Sequence, residues 1–251
     1  MLPAVLLFVG SGCATLPKAP GRKPFHAAVM DAALDPQTWI PATAALLIQI
    51  DGTDTRISEW GADATPIFGS RHAASRASDN LRLATVGLYV STLLATPSGT
   101  KVDQWLMRKL RVGAVGVGAQ ILTSGAVGLL KEGTGRTRPD DTDDLSFPSG
   151  HAASSSLHAT LASRNIESLS LSNRWQAGLQ IGCISTAAAC GWARVEGRHH
   201  YPSDVLTGFA LGHFIGVLMT DVLLGFSGME NVNFVATKAK DETSFGINLH
   251  F

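Results

Sequence analysis

Charge is what this chain has least of. Only 16% of its 251 residues are Asp, Glu, Lys or Arg, against roughly a quarter in an ordinary soluble domain, and 20 basic side chains offset 20 acidic ones. A neutral chain with 45% hydrophobic residues is not a disordered segment, and it has no excess cation to hold a nucleic acid by its phosphates. It either builds a large core for its size or lies against lipid. Cysteine is scarce too: three, with no CxxC and no His–Cys cluster, which argues against a structural zinc site. Cys183 and Cys190 share an apolar stretch; on a helix their Cα atoms lie about 10 Å apart, outside disulfide reach, so they read as small buried hydrophobes. No internal repeat or low-complexity tract is evident.

Six stretches carry no charged residue: 36–50, 83–100, 112–130, 145–163, 175–193 and 205–220. Their lengths and their Ala, Leu and Gly content predict six helices in an all-α bundle, with Gly-, Pro-, Asp- and Arg-rich loops between them. The 112–130 stretch is long enough to cross a bilayer, but 145–163 and 175–193 contain Ser, Thr, Gln and His. The favoured reading is a compact bundle tethered to a membrane, with a multi-pass membrane protein as its rival. Residues 232–236 and 245–251 alternate apolar and polar around a six-residue polar segment, a β-hairpin pattern that assigns 229–251 to a small appendage.

At the N-terminus, an apolar run at 2–9 leads into Gly10-Ser11-Gly12-Cys13, too short to span and suited to a signal peptide over 1–13. Its end resembles the lipobox of bacterial lipoproteins, which makes Cys13 the acylation candidate. Three prolines and three basic residues between Pro17 and Pro24 suit a linker over 14–24, leaving 25–228 for the helical domain.

Three segments at the ends of apolar stretches concentrate the cations and histidines. Lys131 and Arg138, seven apart around a Gly-bearing loop, can wrap one anion. Ser149 suits the N-cap of the next helix, so free backbone N–H groups from Gly150 onward would face an anion beside His151. Arg194, His200 and Asp204 lead into the last apolar stretch, where the carboxylate can turn back towards the imidazole. A cradle of three cations around two histidines suits phosphoryl transfer: one imidazole as nucleophile, the other as proton donor, guanidinium groups on the equatorial oxygens.

In order and spacing these segments resemble the signature of the type 2 phosphatidic acid phosphatase and vanadium haloperoxidase superfamily, Lys-x6-Arg-Pro, Pro-Ser-Gly-His and Ser-Arg-x5-His-x3-Asp. Lys131 to Arg138-Pro139 and Pro148-Ser149-Gly150-His151 match fully; in the third part Ala193 replaces Ser. The resemblance implies a six-helix bundle and no metal or other cofactor. It implies His200 as nucleophile, Asp204 as its orienting partner and His151 as general acid, with Lys131, Arg138, Ser149, Gly150 and Arg194 holding phosphate. It also implies a phosphorylated lipid or small phosphoester as substrate, and a periplasm-facing place in a bacterial envelope. A vanadium haloperoxidase, or an envelope lipoprotein on a retired phosphatase fold, are the alternatives. Outside the motifs, His199 is expected to be a loop residue, His158 and His213 hydrogen-bonded core residues, and Arg136 and Arg198 solvated. The run from Asp140 to Asp144 is expected to be a solvated acidic loop or a gate rather than a calcium site.

Overall fold

The computed structural model describes residues 24–98 and 101–224, together with the backbone of 232–239 and 242–249. The proposed signal peptide, Cys13 and most of the linker lie outside them. Among the described residues there are eight α-helices rather than six: α1 (Phe25–Leu34), α2 (Pro36–Leu47), α3 (Thr53–Ala64), α4 (Arg71–Ala95), α5 (Val102–Thr134), α6 (Gly150–Glu167), α7 (Asn173–Glu196) and α8 (Pro202–Met219). Each charge-free stretch falls largely within one helix. The additional α1 and α3 carry acidic residues, Asp31 in one and Asp54, Glu59 and Asp63 in the other, so a search for uncharged runs passes over them. For the same reason α4 begins a dozen residues before the apolar stretch that announced it.

Local chemistry sets the ends that matter. The Asp35 carboxylate accepts from Gln37 N at 2.8 Å to start α2, and Ser149 Oγ accepts from Ala152 N at 3.4 Å to start α6. Such caps are each worth about 1 kcal/mol. Pro202 occupies the first turn of α8, where its missing N–H costs nothing, and Asp204 Oδ2 reaches back to Tyr201 N at 2.9 Å. Gly135 closes α5 with φ +54°, a left-handed conformation that a glycine adopts without strain, and turns the chain into the 136–149 loop.

The centre of the bundle is α6, with 12 of its 18 residues buried and α4, α5, α7 and α8 packed around it. Leu157, Ile166, Leu161 and Ala162 meet Tyr89 and Leu93 from α4, Ala119 from α5, Cys183 and Ala187 from α7 and Ile215 from α8. The two helices that carry the second and third motifs approach closely because α8 presents glycine to α6. A Cβ on Gly208 would stand 2.6 Å from the Ser149 carbonyl, and one on Gly212 would collide with the Ala153 carbonyl. Their absence holds the starts of α6 and α8 side by side. Ser149 N donates to the Asp204 carbonyl at 3.0 Å across that join.

The outer surface bears on the choice between a tethered bundle and a multi-pass protein. Large apolar side chains stand exposed on several helices, among them Leu46, Leu94, Ile121, Leu129, Trp175 and Ile181. Among the described residues two helices, α5 and the 202–224 segment that includes α8, are long and apolar enough to cross a membrane, and only 28% of the most apolar window of α5 is buried. Large exposed apolar side chains of this kind are what the rival multi-pass reading requires.

At the C-terminus Val232–Ala239 and Glu242–Leu249 pair antiparallel, Val232 opposite Leu249 and Ala239 opposite Glu242. The pairing runs on through Lys238 and Thr243, where a six-residue loop was expected, because backbone hydrogen bonding does not require the apolar alternation to persist.

Candidate active site

One end of the bundle gathers the loop after α5, the start of α6, the end of α7, the 197–201 turn and the start of α8, with the first half of α4 alongside. His200 sits in the turn, 2% exposed. Its Nδ1 lies 2.7 Å from the Ser146 carbonyl oxygen. A carbonyl only accepts, so Nδ1 carries the proton and Nε2 holds the lone pair. Arg138 Nη1 faces that Nε2 at 3.4 Å. Burial, opposed by Asp204, pushes the imidazole down to about 4, so it is neutral at physiological pH.

Asp204 does not clasp His200 directly; the nearest carboxylate oxygen is 3.7 Å from Nδ1. That carboxylate is fully buried and already committed: Ser146 Oγ at 2.6 Å, Tyr201 N at 2.9 Å and Arg136 Nη1 at 2.7 Å. Ser146 is therefore the link, its hydroxyl held by Asp204 and its carbonyl holding His200. Arg136, expected to be solvated, bridges two buried carboxylates instead, with Nη2 on Asp54 at 2.8 Å and its guanidinium stacked over Tyr201 at 4.1 Å. Ser203 completes the group, donating from N and Oγ to Asp54. Arg198 is not free in solvent either; its Nε donates to the Pro139 carbonyl at 2.9 Å.

The three motif cations stand differently. Arg138 donates from Nε to Asp143 at 2.6 Å and from Nη1 to the His199 carbonyl at 3.2 Å. Lys131 turns its ammonium onto the Leu145 carbonyl. Arg194 is the least satisfied: 8% exposed, it donates once, from Nη1 to Ser78 Oγ at 3.2 Å, and its Nε is buried without a partner. Burial and the nearby Arg138 lower its pKa to about 10, which leaves it charged at neutral pH. A buried guanidinium without a carboxylate is costly unless an anion comes to it. Gly150 opens α6, and Ser149 spends its hydroxyl on the cap, so the contact it can offer an anion shares that oxygen with the helix.

His151 lies one residue into α6, and its Nε2 meets Asp79 Oδ1 of α4 at 2.8 Å. Burial and Arg194 lower the imidazole pKa while Asp79 acts in the opposite direction. The Asp79 carboxyl is in turn lowered, chiefly by that hydrogen bond. His199 lies in the same turn as His200, a loop residue as expected, held between Asp140, 3.2 Å from Nδ1, and Ser75 Oγ, 3.0 Å from Nε2. The acidic loop is likewise engaged, Asp143 with Arg138 and Asp144 with Thr137. His158 and His213 are buried and hydrogen-bonded, to the Ser154 carbonyl and to Thr160 Oγ1. Cys183 and Cys190 are buried free thiols. Among the described residues no cluster of three His, Cys, Asp or Glu is placed to hold a metal.

Asp54, Asp79 and Ser146 were not anticipated from the sequence. A sign of the second was present: Ser75, Ser78, Asp79 and Arg82 recur at helical spacing on one side of α4, and the first three reach His199, Arg194 and His151.

Residues 113–225, which hold all three motifs, match the family model of the PAP2 superfamily. Over 125 residues, 49% of this chain, the sequence is 33% identical to a lipid A 1-phosphatase of Porphyromonas gingivalis, and the match takes in 26% of that protein. The chain thus spans about a quarter of the length of that relative. A solved structure of a transmembrane PAP2-type phosphatidylglycerolphosphate phosphatase from Bacillus subtilis is 22% identical with a TM-score of 0.41, covering 78% of this chain and 90% of that one.

Proposed function

From the match of residues 113–225 to the family model of the PAP2 superfamily, we propose that this chain is a membrane-associated, metal-independent lipid phosphatase working through a phosphohistidine on His200. The observation that carries the proposal is the pairing of an incompletely partnered buried cation with a fixed nucleophile: Arg194 forms no ion pair with a carboxylate among the described residues and its Nε is buried without a hydrogen-bond partner, and His200 has its proton locked on Nδ1 by the Ser146 carbonyl.

In this mechanism His200 Nε2 attacks phosphorus, and the bond to the ester oxygen breaks. That oxygen takes a proton from His151, held by Asp79, and leaves as the alcohol or phosphate. Water then attacks phosphorus as His151 accepts its proton; the P–Nε2 bond breaks, its electron pair returns to His200, and inorganic phosphate departs. Arg138, Arg194 and Lys131 stabilise the equatorial oxygens, with Ser149 and the Gly150 N–H adding hydrogen bonds at the positive end of α6. Asp204 is a positioning residue that acts through Ser146.

The exposed apolar side chains support a lipid-linked substrate, since they would immerse the bundle in a bilayer with the cradle at one boundary. A phosphatidic acid, a polyprenyl diphosphate or a lipid A phosphate all have the required chemistry. Acylation of Cys13 would add a second attachment and place the site in the periplasm-facing half of a bacterial envelope. The test is phosphate release by the full chain in detergent, with chelator present, from lipid and water-soluble esters. Release that vanadate inhibits and His200→Ala abolishes is expected; full activity in His200→Ala would defeat the mechanism.

A further inference from the structure

The polar side of α4 does not end at Asp79. One turn further lies Arg82, partly buried, whose Nε is buried without a hydrogen-bond partner. No ion pair joins it to a carboxylate among the described residues, and the neighbouring Asp79 oxygen is engaged by His151 Nε2 at 2.8 Å. Arg82 follows Ser78, which receives Arg194 Nη1, and Asp79, which holds His151, on the same helical face. Along α4, Ser75 meets His199 of the turn, Asp79 meets His151 at the start of α6, and Tyr89 lies 5.8 Å from His158, ring to ring, so Arg82, between Asp79 and Tyr89, stands further along α6 than His151, on the side away from the His200 turn. The site therefore holds two arginines with incomplete partners: Arg194 with the cradle, and Arg82 beyond the imidazole that faces the leaving group.

We infer that Arg82 forms a second anion subsite, for the phosphate that departs when a diphosphate monoester is cleaved, so that the preferred substrate class is a lipid diphosphate. The inference rests on the phosphohistidine reading for its reaction step. In an attack on the distal phosphorus, the bond to the bridging oxygen breaks and its electron pair goes to a lipid monophosphate. His151 protonates that bridging oxygen, and Arg82 pairs with the remaining charge on the proximal phosphate. A monophosphate ester leaves as a neutral alcohol and has nothing to offer Arg82. A buried guanidinium without an anion is costly, whereas one bidentate to phosphate is among the stronger charge-assisted contacts.

Two readouts test this on the full chain in detergent. The first is equilibrium binding of inorganic pyrophosphate and orthophosphate. The wild type is expected to bind pyrophosphate at least about tenfold more tightly, and Arg82→Ala and Arg82→Gln to lose that preference, a factor of ten being the ordinary scale of one charge-assisted contact. Equal affinities in the wild type, or a preference that survives both substitutions, would overturn the subsite. The second is kcat/KM for farnesyl diphosphate relative to farnesyl monophosphate, with the ratio falling about tenfold in both variants and partly restored in Arg82→Lys. A ratio unchanged within about twofold would overturn it too. If the wild type releases no phosphate from either ester, the catalytic reading fails, and the binding comparison still decides the subsite.

Discussion

Removing Arg136 should cost this protein more stability than any other change at a partly exposed side chain. The guanidinium joins Asp54 and Asp204, which are 3% and 0% exposed, and is itself only about a quarter exposed. Breaking a buried ion pair from one side costs roughly 3–5 kcal/mol, because the remaining charge stays desolvated. Here two carboxylates are stranded at once, but each keeps other donors: Ser203 N and Oγ on Asp54, Ser146 Oγ and Tyr201 N on Asp204. About 3 kcal/mol is therefore expected for Arg136→Ala, the lower end of the buried-pair range. For a domain of this size that is a fall of about 6–12 °C in the unfolding midpoint. The assay is thermal unfolding of purified full chain in one detergent, for Arg136→Ala, Asp54→Asn and the double variant. Asp54→Asn removes one stranded charge, so the double variant should lose less than the sum of the singles, by about 1–3 kcal/mol. An Arg136→Ala within about 0.5 kcal/mol of wild type, or strict additivity, would refute the buried network and return Arg136 to the solvent.

The depressed pKa of His200, about 4 against 6.5 ordinarily, has two consequences. Its neutral-form stability is fully present above pH 6.5 and is lost as pH falls through 6.5 towards 4, a difference of about 3 kcal/mol that His200→Gln should abolish in unfolding measured across that window. The acid limb of kcat/KM governed by the nucleophile should lie below pH 5 and not near 6.5, as a pH–rate profile will show. Asp79→Asn should leave the fold intact and, by withdrawing the charge that favours imidazolium at His151, move the basic limb of the same pH–rate profile to lower pH. Gly212→Ala should destabilise by about 1–3 kcal/mol in thermal unfolding, since its methyl would meet the Ala153 backbone and push α8 off α6.

The motif residues could be read from the sequence because each sits where an uncharged run ends, and a cation or imidazole there stands out against Ala, Leu and Gly. Their supports could not. Asp54, Arg136 and Asp204 are far apart in the chain and meet only after α3, the post-α5 loop and α8 have packed, so spacing carries no trace of the contact. Asp79 was hidden for a related reason: charges at Arg71, Arg76, Asp79 and Arg82 made the first half of α4 look like a loop, when its polar side faces the site. The direct Asp204–His200 clasp suggested by the four-residue spacing gives way to a relay through Ser146, whose role rests on a backbone carbonyl that no side-chain pattern encodes. The exterior was harder to read because scattered Ser, Thr and Gln were weighed as surface. Gln180 instead reaches inward to the Ser163 carbonyl, and the exposed positions of the same helix include Leu179 and Ile181.

The most direct test of the central claim is to capture the covalent intermediate. Full chain turning over a lipid phosphate is quenched under alkaline denaturing conditions, which preserve phosphohistidine, and digested for mass spectrometry. The mechanism predicts phosphate on His200 in the wild type, with slower labelling in His151→Ala because the leaving oxygen loses its proton donor. Phosphate carried by another residue, or steady turnover by a His200→Ala variant, would contradict it.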